Sequence, residues 1–302
     1  MAVSVRAARP ADVDAIAAFT AGTWPEREES DYLPDVIAGW IEREDDRQTA
    51  VAVEDDEPIG VAQAVLLSPD EAWGQGMRVH PDHRGRGVAT ALADHLFDWG
   101  RAQGATVVRA MAHGWNEGGM GQARAAGYEP RTQVRRVHPD PTGDRTEAAD
   151  RIVVTDPAVA WRAWTDAGDA MDGLGVSPAE SWAYTEVDRE TVETAATDRW
   201  VGAVRSPAGA SGCAYRVRTT ERDGETVAVY GAGVWDDGAS ARALFGAIRA
   251  DAADVGADAT RVIVPDTARH VTDTARCRVA VADSADVLLA ADLTGAQSGR
   301  GG

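Results

Sequence analysis

Between Val79 and Leu92 the chain reads Val-His-Pro-Asp-His-Arg-Gly-Arg-Gly-Val-Ala-Thr-Ala-Leu, and few backbones can accommodate such a passage. The apolar run 73–79 ahead of it is a strand by pattern. Pro81 opens a turn, Gly85 and Gly87 supply a bend, and a helix follows to about Gln103, where Gly104 is the stop signal. The first N–H groups of such a helix have no intrahelical acceptor, and the positive end of the helix dipole lies behind them. Glycine lets a phosphate reach that row of donors. Arg84 and Arg86 add cationic donors beside it. The spacing matches neither GxGxxG nor GxxxxGK[ST], which excludes the dinucleotide fingerprint and the P-loop.

With 302 residues the chain favours two domains. All 30 basic residues are arginine, and the net charge is −19. Residues 1–145 carry −9 and residues 146–302 carry −10, so the acidity is spread over the whole surface. A lysine-free surface of this kind suits molar salt, where the Debye length shrinks to about 3 Å, and points to a halophilic source. It argues against nucleic acid as a partner. No apolar run is long enough to span a membrane, and residues 1–10 lack a signal-peptide core, so the expected location is cytoplasmic. Cys213 and Cys277 lack zinc-type spacing; both are expected buried and reduced, with no metal.

The first half reads as a short strand at 3–6, a helix that starts at 9–12 and runs through Phe19, a second helix over about 33–41, and a hairpin of 49–53 with 59–67. The central strand–bend–helix follows, then a strand at 106–112 and a closing strand at 128–137. Pro139, Pro141 and Gly143 mark a linker. The second half repeats the first at an offset of 152 residues. Ala89-Thr90-Ala91-Leu92 with Gly104-Ala105 recurs as Ala241-Arg242-Ala243-Leu244 with Gly256-Ala257, each before a valine-rich strand. A strand at 227–235 precedes the second helix, and a terminal strand contains Val287–Leu289. At the bend, however, Asp236-Asp237-Gly238-Ala239 stands opposite Arg84-Gly85-Arg86-Gly87. Two carboxylates there would repel a phosphate.

The bend resembles the coenzyme A-binding motif of the GNAT N-acetyltransferase superfamily, [QR]-x-x-G-x-[GA], with Arg84, Gly87 and Ala89 in the three fixed places. The resemblance implies an α/β (α+β) GNAT acyl-CoA N-acyltransferase fold, a mixed central sheet flanked by helices, in two tandem copies. The expected divisions are a coenzyme A-binding domain at 1–140, a degenerate copy at 150–294 and a disordered tail at 295–302. It further implies acetyl transfer from acetyl-CoA to a primary amine on a small molecule or peptide. Met77, Arg78 and Val79 would bind the pantetheine arm and polarise the thioester. Arg84, Gly85, Arg86, Gly87, Val88, Ala89 and Thr90 would hold the pyrophosphate, and Asn116 would touch coenzyme A. The family's N-x-x-A-x-x-[LF]-Y-x-x-x-G-F pattern is kept at Asn116, Gly127 and Tyr128, but Ala123 stands where the acid tyrosine belongs. Glu71, His113 and Glu117 are the candidate bases. The alternative is a non-catalytic acyl-CoA-binding or structural GNAT-like protein.

Overall fold

The computed structural model describes residues 3–24, 30–42, 46–142 and 150–295. Gly143 of the expected linker and the expected tail beyond residue 295 lie outside the described residues. The chain begins with β1 (Ser4–Ala7), α1 (Val13–Thr20), α2 (Leu33–Glu42), β2 (Arg47–Glu54), β3 (Glu57–Leu66), β4 (Glu71–Val79) and α3 (Val88–Gln103). Next come β5 (Val107–His113), α4 (Glu117–Ala126), β6 (Glu129–His138), β7 (Ile152–Val154), α5 (Pro157–Ala167), β8 (Leu174–Val176), β9 (Tyr184–Glu186) and α6 (Arg189–Asp198). It ends with β10 (Trp200–Ser206), β11 (Gly209–Arg222), β12 (Glu225–Trp235), α7 (Gly238–Asp254), β13 (Ala259–Pro265), α8 (Ala268–Arg276), β14 (Ala280–Val281) and β15 (Asp286–Asp292). These form two compact units. One comprises the chain up to Ala112, Asn116–Pro130 and everything from Leu289; the other comprises His113–Trp115 and Arg131–Leu288.

In the first unit the sheet runs β1-β2-β3-β4-β5-β15. The β2–β3 hairpin turns at Asp55 and Asp56, both at positive φ (52° and 66°), a conformation Asp tolerates better than most residues. Both strands are apolar on two faces because both faces are covered. The α3 face bearing Val88, Leu92 and Leu96 packs on Ala50, Ala52, Ile59, Ala62 and Ala64. On the other side Ile16 of α1 and Leu33, Ile37 and Ile41 of α2 pack on Val51, Val53 and Val61. The helix lies so close to β3 that a Cβ at Gly60 would stand 2.9 Å from Val88 Cγ1. Truncating fully buried Leu92 to Ala should cost about 2–5 kcal/mol.

The second unit has the sheet order β6-β13-β12-β11-β10-β7, with α7 burying Leu244, Phe245 and Ile248 around Tyr230, Trp235 and Val262. The repeat read from the sequence is real as topology. β3–β4 and β11–β12 are antiparallel pairs, and β4–β5 and β12–β13 are parallel pairs with α3 and α7 as crossovers.

One expectation fails. The strand at 128–137 was assigned to close the first domain, but β6 pairs antiparallel with β13 and β14, Val137 lying opposite both Val262 and Val281. The strand beside β5 is instead β15, and Leu293 N–H donates to Thr106 O at 2.8 Å. A period-two apolar pattern identifies a strand; it does not identify a partner more than a hundred residues away. Both cysteines are free, but only Cys213 is buried and Cys277 is half-buried.

Candidate functional site: an open helix N-terminus beside a parting strand pair

Two features of β4 prepare a binding edge. Its parallel pairing with β5 extends only from Glu71 to Trp73, opposite Val107 to Arg109, so the strands part where Gly74 begins. Its register with β3 shifts between Val61 and Gln63, which face Arg78 and Gln75; the extra residue forms a β-bulge. Gly76 sits in that bulge at φ 64°, and a Cβ there would lie 2.5 Å from the Trp40 ring, so glycine is required twice over. His80 N–H donates to Ile59 O at 2.9 Å. Strand alternation therefore turns the preceding Val79 N–H to the opposite, open edge. The Arg78 side chain is engaged elsewhere. It donates to buried Asp31 at 2.7 and 3.2 Å and lies 4.4 Å from the Trp24 ring centroid, which fixes the approach to α2 over this strand.

The bend follows directly. Gly85 and Gly87 have φ of 73° and 78°, and Gly87 is the N-cap of α3 with no side-chain cap. No described atom lies within 4 Å of where a Cβ would sit at either glycine, so the space before the helix is open. Among the described residues, no backbone N–H from Gly85 to Thr90 has an acceptor. Val88 is buried in the core, while Ala89 and Thr90 are half-exposed and can face a ligand. Arg84 stays at the bend and donates from Nε to Val79 O at 3.3 Å. Arg86 does not serve the bend as expected. Its guanidinium is bound to Glu54 at 2.5 and 3.2 Å and lies 2.9 Å from His83 Nδ1. Arg86 holds the Glu54 carboxyl below the usual carboxylate range.

The three candidate bases separate cleanly. Glu71 is buried and ion-paired with buried Arg109, at the opposite end of β4 from Val79. Eight residues of strand put about 26 Å between them, so Glu71 is a structural ion-pair member and not a base. Glu117 is exposed in the first turn of α4, where an acid complements the helix dipole. His113, the last residue of β5, is held. Its Nδ1 lies 2.8 Å from Asp286 Oδ1, a carboxylate only 1% exposed, and its ring stacks on Trp115 at 5.3 Å. A carboxylate only accepts, so Nδ1 is the donor of this pair. Arg136 Nε lies 3.1 Å from the other Asp286 oxygen. Asp286 and Arg136 escaped the sequence reading, because nothing local marks a carboxylate 173 positions from its histidine.

Asn116 caps α4, its Oδ1 accepting from Gly119 N–H at 2.9 Å. Ala123 contributes only its carbonyl, which accepts Tyr128 N–H at 3.0 Å. The Tyr128 ring packs edge-on against Phe97 at 5.2 Å, and its hydroxyl lies 2.6 Å from where a Cβ at Gly74 would stand. Burial pushes that phenol well above its ordinary value.

The corresponding bend in the second unit is closed. Asp237 caps α7 and accepts from Ala239 N–H at 3.0 Å and Ser240 N–H at 2.8 Å. Arg151 fixes it, donating to Asp237 at 2.7 Å and to Ser240 Oγ at 3.1 Å. Burial raises the Asp237 carboxyl, but the Ser240 N–H and Arg151 outweigh it and leave the group below the usual range. Its neighbour Asp236 is raised, by burial and then by the Asp237 charge.

An open glycine bend before a crossover helix, beside a parting parallel strand pair, has close structural parallels. A GCN5-related N-acetyltransferase from Sphaerobacter thermophilus superposes over 96% of both chains with TM-score 0.59 at 17% identity. A tandem GNAT protein from the clavulanic acid biosynthesis pathway superposes over 98% of this chain and 100% of its own with TM-score 0.54 at 12% identity. At these identities the likeness is one of fold, and the class it defines is the tandem GNAT fold, a mixed sheet flanked by helices in each half. Residues 13–128 match the acetyltransferase (GNAT) family. A mycothiol acetyltransferase from Nocardiopsis dassonvillei is 39% identical over 88 residues, which are 29% of this chain and only 24% of that protein.

Proposed function

We propose that the first unit is an N-acetyltransferase that uses acetyl-CoA to acetylate a primary amine. The observation that carries this reading is the row of unaccepted N–H groups from Gly85 to Thr90, opened by two left-handed glycines, next to the free edge of β4. Acetyl-CoA supplies an activated thioester. The residues that fit it are the N–H groups of Gly85, Arg86, Gly87, Val88, Ala89 and Thr90 with the Arg84 side chain for the pyrophosphate, the β4 edge at Met77–Val79 for the pantetheine arm, and Asn116.

This reading takes no base from the first unit's own candidates: Glu71 is buried in its ion pair with Arg109, and Glu117 is exposed in the first turn of α4. Backbone donors of the β4 edge stabilise the oxyanion that forms as nitrogen adds to the carbonyl carbon. A coenzyme A thiolate, with a thiol pKa of about 8.5, can leave without the tyrosine that Ala123 replaces. The mycothiol acetyltransferase likeness also points to acetyl transfer. A second reading, acyl-CoA binding without turnover, is favoured by Ala123 alone.

Free-thiol release from acetyl-CoA with a panel of amines in molar salt separates the two. The enzyme reading predicts release with at least one amine, and Gly87→Val should weaken acetyl-CoA binding about 100-fold, since a β-branched residue neither adopts φ 78° nor leaves the backbone accessible. Binding without thiol release from any amine would favour the second reading. Unchanged binding by the Gly87→Val protein would refute both.

A further inference from the structure

Within the second unit, α6, β11 and the segment around Pro178 enclose a cavity of about 240 Å³ whose lining includes Asp188, Thr194, Ala195, Arg199, Tyr215 and Val217. Two of its polar groups have nothing to bind. The Arg199 guanidinium makes no hydrogen bond or ion pair with any described residue, and its Nε is fully buried. The Tyr215 hydroxyl is likewise buried without a partner, and a Cβ at facing Gly175 would lie 2.2 Å from it. A buried donor with no acceptor costs about 1–3 kcal/mol, and more if charged.

Two of the carboxylates nearby are already used. Asp188 caps α6, accepting from Thr191 N–H and Oγ1 at 2.7 Å each. Asp251 takes Arg216 at 2.9 Å and the Tyr230 hydroxyl at 2.6 Å. Glu190 is exposed. The lining holds two acids, Asp188 and Glu190, and two arginines, Arg199 and Arg216. Arg218 donates only to the Pro178 and Glu180 carbonyls. Burial lowers it, the Glu180 carboxylate raises it, and the Arg199 charge lowers it again. Arg261 lies 4.0 Å from the Trp182 ring centroid and has no carboxylate partner among the described residues. Burial, with the charges of Arg218, Arg136 and Arg222, pushes it down to about 10. Of these arginines, Arg199 and Arg261 have no carboxylate partner among the described residues.

We infer that this cavity binds a small organic carboxylate, its oxygens on Arg199 and its hydrocarbon body against Ala195, Val217 and the Tyr215 ring. The charge answers the unpaired guanidinium, and the largely apolar wall favours a hydrocarbon body over bare phosphate. The site is independent of the bend at Gly87.

Fluorine NMR titration of the full chain in molar potassium chloride tests this with 4-fluorobenzoate, its neutral partner 4-fluorobenzamide, and inorganic phosphate as competitor. Saturable binding of the benzoate, with none of the amide, is expected. Arg199→Gln breaks no contact in the free protein, and loss of a charge-assisted pair should weaken binding about tenfold or more. Thr194→Trp, from an exposed helix position, fills the cavity and should abolish binding. Absence of binding, equal binding of the amide, or binding untouched by Thr194→Trp would each overturn the assignment. Displacement by equimolar phosphate would overturn the carboxylate preference.

Discussion

The N-termini of α3 and α7 follow the same strand–turn–helix arrangement, and both expose the orphan N–H groups that every helix start exposes. At α3 those groups face open space, because Gly85 and Gly87 hold left-handed φ without side chains. At α7 a carboxylate of the chain itself, Asp237, accepts two of them at 3.0 and 2.8 Å, and Arg151 locks it in place. A helix start on this fold stays open to an anion only where the cap is withheld. The ordinary solution, an N-cap aspartate worth about 1 kcal/mol, stabilises the helix and removes the site in one step. The first unit forgoes that stabilisation, and the second takes it.

The comparison can be sharpened by separating stability from binding. The largest expected effect is at Glu71→Gln. Removing one partner of the buried pair with Arg109 should destabilise the chain by about 3–5 kcal/mol in denaturant unfolding, while acetyl-CoA affinity of the folded protein stays unchanged. Lost affinity at full stability would return Glu71 to the site.

Next is the acid limb of the second unit. His270 is buried with Nε2 unpartnered, and burial, then the Arg269 charge, pushes it down to about 4. Unfolded, it titrates near 6.5. Between these values the unfolded chain binds the extra proton, so stability is complete above about pH 6.5 and falls as the pH drops towards 4. The expected loss is on the order of 1–3 kcal/mol, and His270→Gln should remove that slope from unfolding curves across this window. A slope unchanged by the substitution would mean that other groups set it.

The smallest effect is at the sealed cap. Asp237→Ala should cost about 1–2 kcal/mol in denaturant unfolding and soften the stability lost as pH falls through the depressed Asp237 titration. A neutral result would mean that the cap contributes nothing to α7.

How much of this the sequence revealed depended on distance along the chain. The strand and helix pattern, the stop at Gly104 (φ 99°), and the contrast between the two bends were all legible, because each rests on neighbouring residues. The exchange of β6 and β15 between the two sheets was not, since strand pairing over such separations leaves no local trace. The same holds for the side-chain partners. Glu71 looked available until Arg109, 38 residues on, was found beside it. Arg86 looked like a phosphate donor until Glu54, 32 residues back, claimed it. The partner of His113, Asp286, lies 173 residues on.

One half of this chain leaves its helix N-terminus open and the other closes it; the proposed function gives the open one to coenzyme A. Isothermal titration of the full chain with acetyl-CoA in molar potassium chloride tests it most directly. The account predicts one site per chain, lost in Gly87→Val and unaffected by Asp237→Ala; two equivalent sites, or none, would contradict it.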